Sequence, residues 1–215
     1  MPVAIKFCGL TRAQDTAVAV KLGAAYVGVI FAGGPRQLDV RRAREVFAPA
    51  DGTTVSRVGV FGPQSPNEVT DVAYDLGLQV VQLHTDRSGT EVEQICREVG
   101  REVWAVARIA GTEIPEHIDD LFASAQGVVL DSRAPGILGG SGTTFDWSVV
   151  RERIATARDT RHVILAGGLT PENVAEGIRV LRPDVVDVSS GVEARVGEKD
   201  HARMAAFAGA AWSRT

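Results

Sequence analysis

The chain's strongest constraint is a repeat of pattern: a short apolar run followed by a helix-like segment, eight times over. The runs at 3–7, 26–31, 56–61, 79–83, 103–109, 127–130, 162–166 and 185–189 are rich in Val and Ile. Most are bounded by Gly, Asp or Ser, and together they predict strands. Helical patterns follow in turn at 12–22, 40–47, 66–76, 90–99, 115–123, 147–157, 171–181 and 200–212. Ser65-Pro66 and Thr170-Pro171-Glu172 read as N-caps with proline in the first turn. Gly23, Gly77 and Gly100 stand just past helical patterns, where a left-handed residue closes a helix. Strands that alternate with helices pair in parallel through right-handed crossovers. Eight such units fill the 215 residues, so the expected fold is a compact α/β (β/α)8 TIM barrel, one domain over 1–215. The rival, an open doubly wound sheet, would carry G-x-G-x-x-G after its first strand, and Cys8-Gly9-Leu10-Thr11 does not supply it.

Composition narrows the partners. Hydrophobic residues make up 45% of the chain and charged ones 23%, enough to bury a sizeable core. A net charge of -4 argues against nucleic acid, whose binders usually present a basic face. Two cysteines, Cys8 and Cys96, are too few for a secreted disulfide framework, and a reducing cytoplasm is expected. The opening residues lack the apolar stretch of a signal peptide. No run approaches the roughly 20 apolar residues that cross a bilayer, so no membrane partner is expected.

Strand alternation assigns faces. Val3, Ile5 and Phe7 share the face suited to helices, while Ala4, Lys6 and Cys8 share the face toward the barrel interior. In the eighth run Val185, Asp187 and Ser189 face inward, and in the sixth Asp131 shares a face with Val129. Polar residues thus gather at the C-terminal strand ends, where barrel active sites are built.

Several of these residues carry chemistry. Gly167 and Gly168 follow the seventh strand; Ser189, Ser190 and Gly191 follow the eighth. Glycines let main-chain N–H groups approach an anion, a short helix starting near Gly191 would aim its positive end there, and these two loops commonly bind phosphate in barrels. Two ordinary glycine turns are the plain alternative; their joint occurrence favours phosphate. Cys8 is either a thiol activated by a polar setting or the small buried residue that a free cysteine commonly is, and spacing alone favours the second. Asp131 is either an acid or base or a loop acceptor. To donate a proton near pH 7 it needs a pKa about three units above the ordinary value, roughly 4 kcal/mol, which burial and a nearby anion can supply. Arg36 can grip a carboxylate through two parallel hydrogen bonds; taken alone, a solvated arginine is the commoner reading. His84 is a base, a ligand contact or a satisfied polar group. The four histidines show no recognised metal spacing, so no metal is expected. Gly139-Gly140-Ser141-Gly142 is a flexible run that covers a ligand or merely connects two elements.

Taken in order, these segments resemble phosphoribosylanthranilate isomerase over nearly the whole chain. The likeness is carried by Lys6-Phe7-Cys8-Gly9-Leu10-Thr11, Pro35-Arg36, Val58-Gly59-Val60-Phe61, Gln82-Leu83-His84 and Leu130-Asp131. It continues through Gly139 to Trp147, Leu165 to Val174, and Asp187 to Glu193. The resemblance implies an Amadori rearrangement of a phosphorylated aminosugar in tryptophan biosynthesis, without cofactor or metal, by a monomer or homodimer. It implies Asp131 as general acid and Cys8 as general base, Arg36 on the substrate's carboxylate, and Asp187 and His84 near the reacting centre. Gly167, Gly168, Ser189, Ser190 and Gly191 would hold the phosphate. Two other readings stand beside it. A Schiff-base aldolase needs a well-placed lysine, and only Lys6 lies on a barrel strand. A phosphate-ligand sensor on the same fold has no need of both Cys8 and Asp131.

Overall fold

The computed structural model describes residues 2–84, 87–132, 144–155 and 161–213. Eight parallel strands close into a barrel in chain order: β1 (Ala4–Phe7), β2 (Tyr26–Ile30), β3 (Ser56–Phe61), β4 (Val80–Leu83), β5 (Glu102–Ile109), β6 (Gly127–Ser132), β7 (His162–Leu165) and β8 (Val185–Val188). The ring shuts where β1 pairs with β8, Lys6 opposite Asp187. Helices α1 (Ala13–Lys21), α2 (Val40–Phe47), α3 (Pro66–Asp75), α4 (Gly89–Val99), α5 (Ile118–Ser124), α6 (Trp147–Arg153), α7 (Val174–Leu181) and α8 (His201–Trp212) follow the strands one by one. Among the described residues no helix is long and apolar enough to cross a membrane.

Period-2 alternation sorts the core into two layers. Ile5, Phe7, Val186 and Val188 pack outward under the helices. Val58, Val80, Trp104, Val106, Val129, Ile164 and Val185 fill the barrel. Above this apolar filling the interior turns polar toward the C-terminal rim, while at the opposite mouth Glu102 accepts from Trp104 Nε1 at 2.7 Å and meets His162 Nδ1 at 3.0 Å.

Local chemistry explains the helix ends. Ser65 and Ser88 each form a reciprocal capping box, with Glu68 and Glu91 respectively, which satisfies amides that a helix start leaves open. Gly23, Gly77 and Gly100 all take positive φ. The start of α7 differs from the sequence expectation. Thr170-Pro171 opens a turn rather than the helix, which begins at Val174. The reason is Asn173: its Oδ1 accepts from the Thr170 amide at 2.8 Å and its Nδ2 donates to the Gly168 carbonyl at 2.9 Å, folding the loop back on itself.

Between β8 and α8 the chain adds a short antiparallel hairpin that the periodicity did not predict, β9 (Glu193–Arg195) and β10 (Glu198–Lys199). It is fastened to the loop after β1. Thr11 Oγ1 donates to the Gly197 carbonyl, and Arg12 pairs with Glu198 at 3.0 Å. Asp15, fully buried on α1, accepts from Arg12 and contacts His201 Nε2 at 2.8 Å, joining α1 to α8 across the same seam.

Candidate active site

Strand ends and loops at the C-terminal rim enclose a cavity of about 380 Å³. Cys8, Arg36, His84, Asp131, Gly167, Gly168, Asp187, Ser189 and Ser190 all line it. The structure thus gathers in one wall residues that lie up to 182 positions apart in the chain. Gly191 sits just behind, against the Leu169 carbonyl. The Gly139–Gly142 run lies outside the described residues.

The floor is ionic. Lys6 has no exposed surface, and its Nζ donates to Asp187 Oδ2 at 2.7 Å. Burial opposes the ammonium charge, yet the Asp187 carboxylate and Cys8 beside it leave Lys6 above its ordinary pKa. Lys6 is therefore a paired cation and a poor amine nucleophile, which removes the footing of a Schiff-base aldolase. The other oxygen of Asp187, Oδ1, is buried without a hydrogen-bond partner among the described residues. A buried carboxylate oxygen left open costs free energy, so this atom suits a donor on a ligand. Gln82 Oε1 is in the same condition and lines the same cavity.

Asp131 and Cys8 stand on the walls. Burial, and then the Asp187 carboxylate, push Asp131 from 3.8 up to about 6, against the opposing pull of Arg108, the Ser132 amide and Lys6. Its Oδ2 lies 3.9 Å from His84 Nε2. Cys8 is 6% exposed. Burial raises its thiol above the usual range, and the Lys6 cation offsets this only in part. Gly28 on β2 makes room for the pair, because a Cβ there would sit 3.2 Å from both Cys8 Sγ and Lys6 Cε.

The rim offers main-chain donors. No carbonyl among the described residues accepts from the amides of Gly167, Gly168, Ser190 or Gly191. Gly167 and Gly168 take φ of 77° and 68°, a region that strains other residues. Gly191 is required by space, since an added Cβ would overlap the Leu169 carbonyl. The expected short helix is a single 3-10 turn, Ser190–Val192. The carbonyls are tied away from the cavity, that of Gly168 by Asn173 and that of Ser189 by Lys199 Nζ at 3.0 Å. In a planar trans peptide the N–H points opposite the C=O. Each tie therefore turns the next amide, Leu169 or Ser190, the other way.

Arg36 is neither solvated nor isolated. Its Nε and Nη2 donate to Glu193 Oε1 and Oε2 at 2.7 and 2.6 Å, a bidentate pair with the arginine side chain 13% exposed. Nη1 and the outer hydrogen of Nη2 stay available as a second fork. Arg108, Gln82, Lys6, Glu193 and Lys199 are the functional-looking residues that the motifs did not single out. For three of them a signal existed: alternation places Lys6 with Ala4 and Cys8, Gln82 with Val80, and Arg108 with Trp104 and Val106, on the inward face.

With this geometry in hand, comparison with known proteins is specific. The family model of N-(5'phosphoribosyl)anthranilate (PRA) isomerase matches residues 5–210. The N-(5'-phosphoribosyl)anthranilate isomerase of Acidithiobacillus ferrooxidans is 41% identical over 206 residues, 95% of each chain. The crystal structure of phosphoribosyl anthranilate isomerase from Thermotoga maritima superposes with a TM-score of 0.83 at 33% identity, covering 97% of this chain and 98% of that one. A solved phosphoribosyl anthranilate isomerase in complex with reduced 1-(o-carboxyphenylamino)-1-deoxyribulose 5-phosphate gives 0.78 at 32% identity, with the same coverage.

Proposed function

The chain belongs to the N-(5'-phosphoribosyl)anthranilate isomerase family, and from that premise we propose that it rearranges N-(5'-phosphoribosyl)anthranilate to 1-(2-carboxyphenylamino)-1-deoxyribulose 5-phosphate with Asp131 as general acid and Cys8 as general base. The enzyme is an isomerase of the tryptophan pathway; the assignment of its residues is our reading.

In that reading the anilino nitrogen pushes its lone pair toward C1 as the C1–ring oxygen bond breaks. Asp131 delivers its proton to the departing ring oxygen. Cys8 then removes the proton from C2, giving an enolamine that tautomerises to the ketone. No electrons leave or enter the substrate; one carbon is oxidised as its neighbour is reduced. Asp187 Oδ1 accepts from a sugar hydroxyl beside the reacting carbons, and His84 contacts the substrate next to Asp131. Arg36 holds the anthranilate carboxylate with its outer fork. Main-chain amides at Gly167, Gly168, Ser189, Ser190 and Gly191 hold the phosphate.

The observation that carries this reading is a carboxyl group lifted to about 6 by burial, lining the same cavity as a thiol that comes from a different strand of the barrel. Lysozyme-type chemistry uses the same device, an acid whose pKa is raised by its setting toward the working pH. The direct test mixes purified protein with the aminosugar and follows the loss of anthranilate-type fluorescence. Well-folded protein that binds the compound without turning it over would instead be a sensor.

A further inference from the structure

Arg36 and the phosphate-facing loop are joined behind the cavity wall. Glu193 Oε1 accepts from Arg36 Nε and also from Lys199 Nζ, the latter at 2.9 Å. The same Nζ donates to the Ser189 carbonyl at 3.0 Å. Lys199 is 3% exposed and the Glu193 side chain 5%. Gly9 lets the two ends approach, because a Cβ there would sit 2.8 Å from both Arg36 Cδ and Ser189 Oγ. The result is one buried ionic chain, Arg36–Glu193–Lys199–Ser189, that carries a net charge of one positive unit.

We propose that Glu193 and Lys199 are positioning residues that set the spacing of the two anion grips. Glu193 holds the Nε–Nη2 edge of Arg36, so only the outer fork is presented to a carboxylate. Lys199 anchors the Ser189 carbonyl, so the Ser190 amide faces the phosphate. Both residues act through groups that touch the substrate and touch none of it themselves. The proposal rests on the reading that Arg36 holds the carboxylate and that the Ser189–Gly191 loop holds the phosphate. Because the chain is the same in ground state and transition state, its loss weakens uniform binding, which raises KM and spares kcat. The hairpin has other anchors, in Thr11, Arg12 and the bond from the Lys199 amide to Asp15, so neither side chain is needed merely to keep it in place.

The test is a double-mutant cycle on KM, with folding followed by circular dichroism. Arg36→Met is expected to raise KM at least about tenfold, the effect of losing one charge-assisted hydrogen-bonded pair. Glu193→Gln is expected to raise KM about fivefold or more with kcat within threefold, and to add less than about twofold in the Arg36→Met background. Lys199→Met is expected to raise the inhibition constant of inorganic phosphate at least about fivefold, while Glu193→Gln changes it less. If Arg36→Met leaves KM unchanged, the carboxylate assignment itself is wrong. If Arg36→Met raises KM but Glu193→Gln does not, or adds its full factor without Arg36, the carboxylate assignment survives and the positioning role falls. A Lys199→Met enzyme that binds phosphate normally removes the second half. Should Glu193→Gln fail to fold, Glu193→Asp, which keeps the charge on a shorter stem, is read in the same cycle. Failure of both to fold would mean a purely structural role and would overturn the proposal.

Discussion

An acid near 6 sharing a cavity with a thiol that burial raises above its ordinary range has a kinetic consequence. Under the proposed roles catalysis needs the carboxyl protonated and the thiol ionised, the reverse of what the two shifts favour. In free enzyme the required combination is therefore a minor species, since burial raises the thiol while Asp131 already titrates near 6. Between the two values that fraction is constant, because the acid loses its proton as fast as the base gains its charge. Below about 6 it falls tenfold per unit as the thiolate disappears. A substrate phosphate ionises in the same region, since its second pKa is about 6. The clean measurement is therefore the ratio of kcat/KM between wild type and Asp131→Asn across pH, which cancels both the phosphate and the thiol. Only the protonation of Asp131 remains in it. The ratio is expected to be flat below about pH 6 and to fall roughly 100-fold between pH 5 and pH 8, the change in protonated fraction for a group titrating near 6. At pH 7 the variant should already be slower by at least about 100-fold. A large ratio with no pH dependence over this range would refute Asp131 as the proton donor and leave it a binding group.

The same residue couples activity to stability. Asp131 is raised in the folded protein from 3.8 to about 6, so its contribution to stability is fully present below the unfolded value and is lost as pH rises through 6. Asp131→Asn should therefore be more stable than wild type at pH 8, by up to about 3 kcal/mol, with the gain gone at pH 4; urea melts that show no gain at pH 8 contradict the burial argument. Cys8→Ala should lower kcat at least about 100-fold with the fold intact, and near-normal turnover removes Cys8 from the base role. Lys6→Met strands the Asp187 carboxylate in the barrel and should cost about 3–5 kcal/mol in urea unfolding; a loss under 1 kcal/mol would mean that Asp187 is not dependent on Lys6. Gly191→Ala drives a methyl into the Leu169 carbonyl and should raise KM at least about tenfold by separating the two phosphate loops, whereas unchanged inhibition by inorganic phosphate would place the phosphate elsewhere.

What could be read from the chain was whatever a short window carries. Each of the eight strands was placed within two residues at either end, because a buried parallel strand must be a β-branched apolar run and its helix must return a 3.6-residue stripe. The inward face followed from parity, which is why Lys6, Asp131 and Asp187 were already on one side of the sheet. Cys8 is more instructive. Spacing favoured a plain buried residue, and the thiol is indeed buried. Parity sets Lys6 beside it; what spacing does not contain is the Asp187 partner that holds the Lys6 ammonium and the cavity in front of the thiol.

The part of the site that stayed hidden consists of partnerships. Arg36 meets Glu193 across 157 positions, and Lys6 meets Asp187 across 181. No local period relates such residues, and a side chain's charge says nothing of which opposite charge the closed ring will bring to it. In the proposed mechanism these pairs decide the chemistry. Glu193 engages the Nε–Nη2 edge of Arg36 in a bidentate pair. Asp187 takes Lys6 out of play as a nucleophile and, with its own charge, helps to raise Asp131. Barrel closure is the step that creates them. The seam between β1 and β8 sets Lys6 against Asp187, and the hairpin after β8 delivers Glu193 and Lys199 to the loop after β2. The same act that completes the fold thus completes the candidate site. A lesion in the Asp15–Arg12–His201 fastening of that seam should therefore disturb substrate binding before it disturbs the apolar interior.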